Sequence, residues 1–595
     1  MCLGGTDVTD ARARPGGKWA SAIVSEPGPD GTIATLRMWS IADGREVELL
    51  SDPAPSTGRG LSGGVHVWHP DGESIFVVVR RGGIVRVELV DDAPARVVQL
   101  PFDPSRSWST PAVGGDGRAI AAVADWREVC TWNLDDANDP DAVESVHSGH
   151  DFTIDCEWWR DRVIAVAWDR PHMPWTGGGI IGLDQTYPVP AQQPRSLGHS
   201  VGWIADPTGF HTTVVLQNGE ADIHHDPVDM AGPTWGPGQR SWTFGDGEHE
   251  LAYTRNVDGF GELWALRNGT KRMVGRGVHG CLSWESGTLV ALRTGARTPT
   301  QVVAYTITPA GFLNGDFDRT VLFDTGDPRW RSEFDEELVE PAILHTDTGT
   351  ARIVSRVYDA RRSHGGLIVW VHGGPHDQWQ VTWRPRFSYW LSRGWTICVP
   401  DHRGSSGHGS AFMRAQEGAW GSIDAEDTLA AARDLWTSHG FDPATTVLMG
   451  GSAGGLTALN TARLARSEGH TIGGVVVSFP VVDLDAMFDG DDPFESHDMP
   501  RLIGPRSDPS VARRSPHLNA AELTGVPILV FHGDRDTSVP LFHSEQLVDA
   551  VEAAGGDIEL VVMEGEGHGF RDPANIGLEY ARTEVFLGAV IDRTG

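Results

Sequence analysis

The chain has 595 residues, with 81 acidic against 48 basic side chains and a formal charge of −33. That balance excludes nucleic acid and anionic membranes as partners, because no basic stripe is present to neutralise phosphates. The length exceeds what one hydrophobic core serves, so more than one domain is expected.

Residues 1–326 read as β throughout, with almost no helical periodicity. Short apolar or alternating runs such as Ser74–Val79, Ala119–Val123 and Thr212–Leu216 are separated by Gly/Asp turns. The turns recur at Pro15–Gly17, Pro70–Gly72, Gly115–Gly117, Arg160–Asp161, Pro207–Gly209, Gly245–Gly247 and Ser286–Gly287, spaced 38 to 55 residues apart. A repeat of this length has room for four short strands, so seven turns predict a β-propeller of about seven blades. Trp68, Trp159, Trp203, Trp242 and Trp284 each lie shortly before such a turn. They are expected to fill the contacts between neighbouring blades. The acidic stretch Asp135–Asp141 lacks the glycine and terminal glutamate of a calcium loop and reads as a polar connection. The histidines at 147–150 and 224–225 read as structural or solvated rather than metal-binding.

The polar, acidic segment from Gly326 to Pro341 reads as a join, and 338–595 as a second domain. It opens with strands around Ala342–Leu344 and Ile353–Tyr358. The buried strand Leu367–Val371 follows and runs into His372-Gly373-Gly374-Pro375-His376, which resembles the glycine-rich loop that lends an oxyanion-hole N–H in esterases and peptidases. An amphipathic helix is predicted over Ala425–Trp436. Next, Val447-Leu448-Met449 leads into Gly450-Gly451-Ser452-Ala453-Gly454-Gly455. A serine between glycines after a buried strand is the pattern of a nucleophile elbow, where a tight strand-to-helix turn leaves no room for neighbouring side chains. Two more apolar runs end in polar clusters, Val526–Phe531 in His532-Gly533-Asp534-Arg535-Asp536 and Ile558–Met563 in Glu564–Phe570 around His568.

The order serine, aspartate, histidine, each at a strand end, is that of an α/β-hydrolase. An alcohol is a poor nucleophile near neutral pH, so Ser452 needs His568 to take its proton, and an aspartate to orient and stabilise the imidazolium. Asp536 and Asp534 both compete for that role on position alone. The backbone N–H of Ala453, just after the nucleophile, is a natural oxyanion donor.

The series His372–His376, Asp401–Gly409, Gly450–Gly455, Ser515-Pro516, His532–Pro540 and Glu564–Phe570 resembles the prolyl oligopeptidase family of serine peptidases, most nearly its acylaminoacyl-peptidase and dipeptidyl-aminopeptidase-like branch. The resemblance covers about residues 338–595. It implies a seven-bladed propeller before an α/β-hydrolase domain, with Asp536 as the triad aspartate and Gly374 and Ala453 as oxyanion donors. It further implies a propeller that covers the active site and admits short peptides only. Two positions depart from the family: Ala453 stands where tyrosine is usual after the nucleophile, and His408 replaces an aromatic residue after the Arg403-Gly404-Ser405 segment. The first predicts a smaller wall in the substrate pocket.

The expected fold is therefore an all-β propeller over 1–326 followed by an α/β-hydrolase domain over 338–595. The expected function is a serine peptidase acting through an acyl-enzyme on Ser452, with a carboxylesterase, or an inactive propeller-based binding protein, as alternatives. Trp379, Phe488 and Phe494 are candidate pocket residues. No metal or organic cofactor is called for. Five scattered cysteines form no disulfide or zinc pattern, and neither an apolar leader nor a long apolar run occurs, so a cytoplasmic location is expected.

Overall fold

The computed structural model describes every residue except 1–4, 29–30, 59, 137–138, 185–186, 188–189, 328–338, 491–496 and 594–595. The chain divides into two compact units, residues 5–326 with 380–383, and residues 327–379 with 384–595. Phe494 lies outside the described residues.

The first unit is a propeller. Its described strands form seven antiparallel sheets of consecutive strands, six of four strands and one of three, Phe152–Trp159, Arg162–Trp168 and Gly179–Ile181. The tryptophans join neighbouring blades. Trp68 Nε1 donates to Ser21 Oγ at 2.9 Å, Trp159 Nε1 to His199 O at 3.1 Å and Trp242 Nε1 to Gln193 O at 3.0 Å. The first and seventh blades close the ring by packing, with Val8, Ala11 and Ala13 in one core cluster with Cys281, Val290, Leu292 and Val302. The fifth repeat differs from the expected register. Its first hairpin turns at Gly198-His199, whereas Pro207–Gly209 joins its second and third strands. Gly198 takes a positive φ of 57° and needs no proline or aspartate beside it.

Five of the seven innermost strands carry a bulge with one residue at positive φ, at Asp10, Thr110, Asp155, Gln193 and Cys281. Around these bulges, blades that are not neighbours meet. Arg240 Nη1 donates to Asp10 Oδ1 at 2.8 Å, Gly238 N–H to Asp155 Oδ1 at 2.7 Å, and Gly63 N–H to Gly238 O at 2.8 Å.

The second unit is built on one eight-stranded sheet: β1 (Ala342–Asp347), β2 (Arg352–Tyr358), β3 (Gly366–Val371), β4 (Trp395–Asp401), β5 (Thr446–Gly451), β6 (Gly474–Ser478), β7 (Ile528–Gly533) and β8 (Ile558–Met563). Its spatial order is β1-β2-β4-β3-β5-β6-β7-β8, antiparallel through β2 and β4 and parallel from there on. The inner parallel strands β3, β5, β6 and β7 are buried and largely apolar because helices cover both faces, whereas the edge strand β8 is partly exposed. Helices α2 (Ile423–Ser438) and α3 (Ala453–Ser467) contribute Leu429, Leu435, Leu459 and Ala462 to one core with Val369, Leu448, Val477 and Val530 of the sheet. Helix α4 (Phe542–Ala553) links β7 to β8, and helices α1 (Pro385–Ser392) and α5 (Pro573–Asp592) meet where Trp390 stacks on Tyr580 at 5.8 Å. Among the described residues, no helix is long and apolar enough to cross a membrane.

Candidate active site

The site is assembled at the carboxyl ends of β3, β5, β6, β7 and β8, where open parallel sheets carry their ligands. Ser452 occupies the turn between β5 and α3 with φ 55° and ψ −125°. A positive φ costs a serine about 1–3 kcal/mol, so the surroundings must enforce it. They do so through Ser452 N–H, which donates to Ser478 O at 3.0 Å, and through the absence of side chains around the turn. A Cβ on Gly450 would lie 2.2 Å from Gly454 O, and one on Gly455 would lie 2.7 Å from Pro480 Cβ. The glycine pattern of the motif is thus imposed by packing at each position.

The aspartate and histidine come together. Asp536 Oδ2 lies 2.7 Å from His568 Nδ1, while Asp536 Oδ1 accepts the N–H groups of Ser538 and Val539 at 3.0 Å each. Asp536 is buried, and these bonds hold its carboxylate with one oxygen turned to the imidazole. Asp534, its rival by position, accepts instead from Gly565 N–H at 2.7 Å. The two loops approach this closely because residue 533 is glycine: a Cβ there would meet Glu566 O at 2.4 Å. His532 is structural. Its Nδ1 lies 2.7 Å from Ser544 Oγ and its Nε2 2.8 Å from Val539 O, and burial pushes its pKa down. Ser452 Oγ makes no hydrogen bond among the described residues, and such contacts often tighten only with substrate bound.

The glycine-rich loop after β3 borders the elbow. A Cβ on Gly373 would lie 3.1 Å from Gly451 O and 3.6 Å from Ser452 Cβ. Among the described residues, Gly374 N–H donates to no protein group. Ala453 is the first residue of α3, so its N–H has no intrahelical partner. The loop is anchored from behind by His372, whose Nε2 lies 2.6 Å from Ser405 Oγ, and by His376, whose Nδ1 lies 2.9 Å from Gly404 O. Burial drives both imidazoles toward the neutral form, to about 3 for His372 and about 4 for His376.

The two departures from the expected motifs have structural roles. Ala453 is buried with Trp420, Val481, Leu484 and Met499. His408 Nε2 lies 2.7 Å from Asp401 Oδ2, joining a buried network in which Arg356 grips the same carboxylate at 2.7 and 2.5 Å and Gln378 Nε2 reaches it at 2.6 Å. The Arg356 guanidinium and these hydrogen bonds hold Asp401 well below the usual carboxylate range against the cost of burial. Nothing in the sequence patterns singles out Arg356, which pairs with a residue 45 positions away. Trp379 stands beside Trp370 and Phe387 with Arg384 over its ring, and Phe488 packs beside Arg506. Phe479, not singled out by its motif, lies against His568 with ring centroids 4.5 Å apart.

This arrangement has the parts for nucleophilic acyl transfer: a strained serine, an aspartate-bound imidazole, and two backbone donors near the serine. Residues 379–594 match the Prolyl oligopeptidase family. Among curated proteins, the chain is 29% identical over 229 residues to dipeptidyl aminopeptidase BIII of Pseudoxanthomonas mexicana, covering 37% of this chain and 32% of that protein. It is 24% identical over 238 residues to the human acylamino-acid-releasing enzyme, covering 38% and 30%. The matches thus span about a third of the length of these relatives. Over nearly the whole chain the fold is that of a puromycin-hydrolyzing peptidase of Mycobacterium tuberculosis (TM-score 0.81, 21% identity, 98% of this chain and 94% of that one). The acylaminoacyl peptidase of Pyrococcus horikoshii is also similar (TM-score 0.76, 15% identity, 98% and 95%).

Proposed function

We propose that this chain, whose residues 379–594 match the Prolyl oligopeptidase family, is a serine peptidase that hydrolyses short peptides through an acyl-enzyme on Ser452. The observation that carries this reading is the 2.7 Å contact between His568 Nδ1 and Asp536 in a domain whose nucleophile elbow is held at positive φ. Ser452 Oγ attacks the scissile carbonyl as His568 Nε2 takes its proton. The oxyanion forms toward the N–H groups of Gly374 and Ala453, each such donor lowering the barrier by about 3 kcal/mol. His568 then protonates the departing amine. A water, deprotonated by the same imidazole, attacks the acyl carbon and frees Ser452. Asp536 keeps the imidazole in the tautomer with its Nδ1 proton toward the carboxylate. The propeller unit limits substrates to short peptides.

The test is digestion of a peptide library with free and acetylated N-termini, read by mass spectrometry beside a matched ester and amide pair. Cleavage of short peptides, absent in Ser452→Ala and weak on folded proteins, is expected. Ester turnover without any peptide cleavage overturns the peptidase reading.

A further inference from the structure

Phe479 is held in a conformation that its sequence disfavours, at a place where its ring meets the candidate base. It follows β6 with φ 41°, in the left-handed region, and precedes Pro480. Phenylalanine is a poor residue for positive φ, and a following proline restricts its backbone further. Backbone strain of this kind persists only where the surroundings enforce it, and it gathers at functional sites. Here Phe479 N–H donates to Phe531 O of β7 at 2.7 Å, while Pro480 is lodged against Gly455 of the elbow helix.

The strained backbone delivers the ring against the base on one side and against residue 451, just before the nucleophile, on the other. The ring centroid lies 4.5 Å from that of the His568 imidazole, with the planes at 52°, and 5.6 Å from Phe570. On the other side, its Cε2 would lie 3.1 Å from a Cβ at residue 451, which explains why the position before Ser452 is glycine. Phe479 is only half-buried, unlike the apolar residues of β6 before it. The hydrogen bond that His568 Nδ1 donates to Asp536 fixes one atom of the imidazole and leaves its plane free to swing about that atom. A second ring packed against the imidazole restricts that swing.

We infer that Phe479 is a positioning residue, which holds the imidazole plane of His568 so that Nε2 faces Ser452 Oγ. The inference rests on the serine-hydrolase reading above. Loss of the ring leaves substrate binding in place and misorients the base, and a misplacement near 1 Å costs about a hundredfold in rate.

The test compares wild type with Phe479→Gly, Phe479→Leu and Phe479→Tyr, reading kcat and KM on one ester substrate together with the melting temperature. Glycine accepts φ 41° without strain, so Phe479→Gly keeps the backbone while removing the ring. The expected result is a kcat about a hundredfold lower in Phe479→Gly with KM little changed, an intermediate loss in Phe479→Leu, and near wild-type kcat in Phe479→Tyr. A wild-type kcat in Phe479→Gly overturns the inference. So does a kcat that follows melting temperature across the variants irrespective of the aromatic ring. If wild type itself fails to hydrolyse, or Ser452→Ala hydrolyses equally well, the serine-hydrolase reading has failed instead.

Discussion

Gly454 offers a quantitative probe of how the elbow and the glycine-rich loop depend on each other. It is the second residue of α3, and a Cβ there would lie 2.5 Å from His372 O and 2.6 Å from Val371 O. An ordinary contact begins near 3.4 Å, so the shortfall is 0.9 Å, against main-chain atoms at the end of the central strand β3. Neither atom can turn aside as a side chain does. Gly454→Ala must therefore separate α3 from the loop after β3 by roughly 1 Å, and a misplacement of that size costs about a hundredfold in rate. Overpacking should cost about 1–3 kcal/mol of stability, partly offset by about 1 kcal/mol from the better helix propensity of alanine. Gly588 in α5 is the control. No atom lies within 4 Å of its Cβ position, so Gly588→Ala should stabilise by about 0.5–1 kcal/mol and leave activity unchanged. Both variants are assayed by kcat/KM on a chromogenic ester and by urea unfolding. The reasoning is refuted if Gly454→Ala matches wild type in both, or if Gly588→Ala loses activity as Gly454→Ala does.

Three further outcomes are expected. Arg356→Met leaves the buried Asp401 carboxylate without its cation and should cost about 3–5 kcal/mol in urea unfolding. Acid should destabilise the hydrolase domain below neutrality. The folded pKa values of His372 and His376 are depressed from 6.5 to about 3 and about 4, so the unfolded chain binds the extra protons. Stability is then level above pH 6.5 and falls by about 1.4 kcal/mol per pH unit per histidine below it, until the folded pKa is reached, as a pH series of unfolding curves would report. Replacing Asp536 by Asn keeps its size but not its charge, and should lower kcat by about four orders of magnitude with little change in melting temperature.

Much of this molecule is legible because its features are encoded locally. Each glycine of the motif around Ser452 answers to an atom within 3.1 Å of its Cβ position, a backbone atom at all but Gly451, so the strand-to-helix turn can be read from composition alone. The propeller is legible because hairpin turns need Gly and Asp at regular intervals. The fifth hairpin escaped that reading because Gly198-His199 has no proline or aspartate, while a stronger turn signal at Pro207–Gly209 lies one strand later. The positive-φ residues of the inner strands escaped it too, since Asp, Thr, Gln and Cys occupy the same backbone role and share no residue type. Phe479 runs against local preference altogether. A Phe-Pro pair after an apolar strand predicts extended backbone, and only the bond to Phe531 and the packing of Pro480 impose the turn. The Arg356–Asp401 pair joins β2 to β4 across the sheet, a register that the sequence does not announce.

The most direct test of the central claim is the intact mass of the protein after reaction with a fluorophosphonate, followed by peptide mapping. The account predicts one adduct per chain, on the peptide that carries Ser452, absent in Ser452→Ala and formed far more slowly in His568→Ala. No adduct on the folded wild-type protein, or an adduct on another residue, would contradict it.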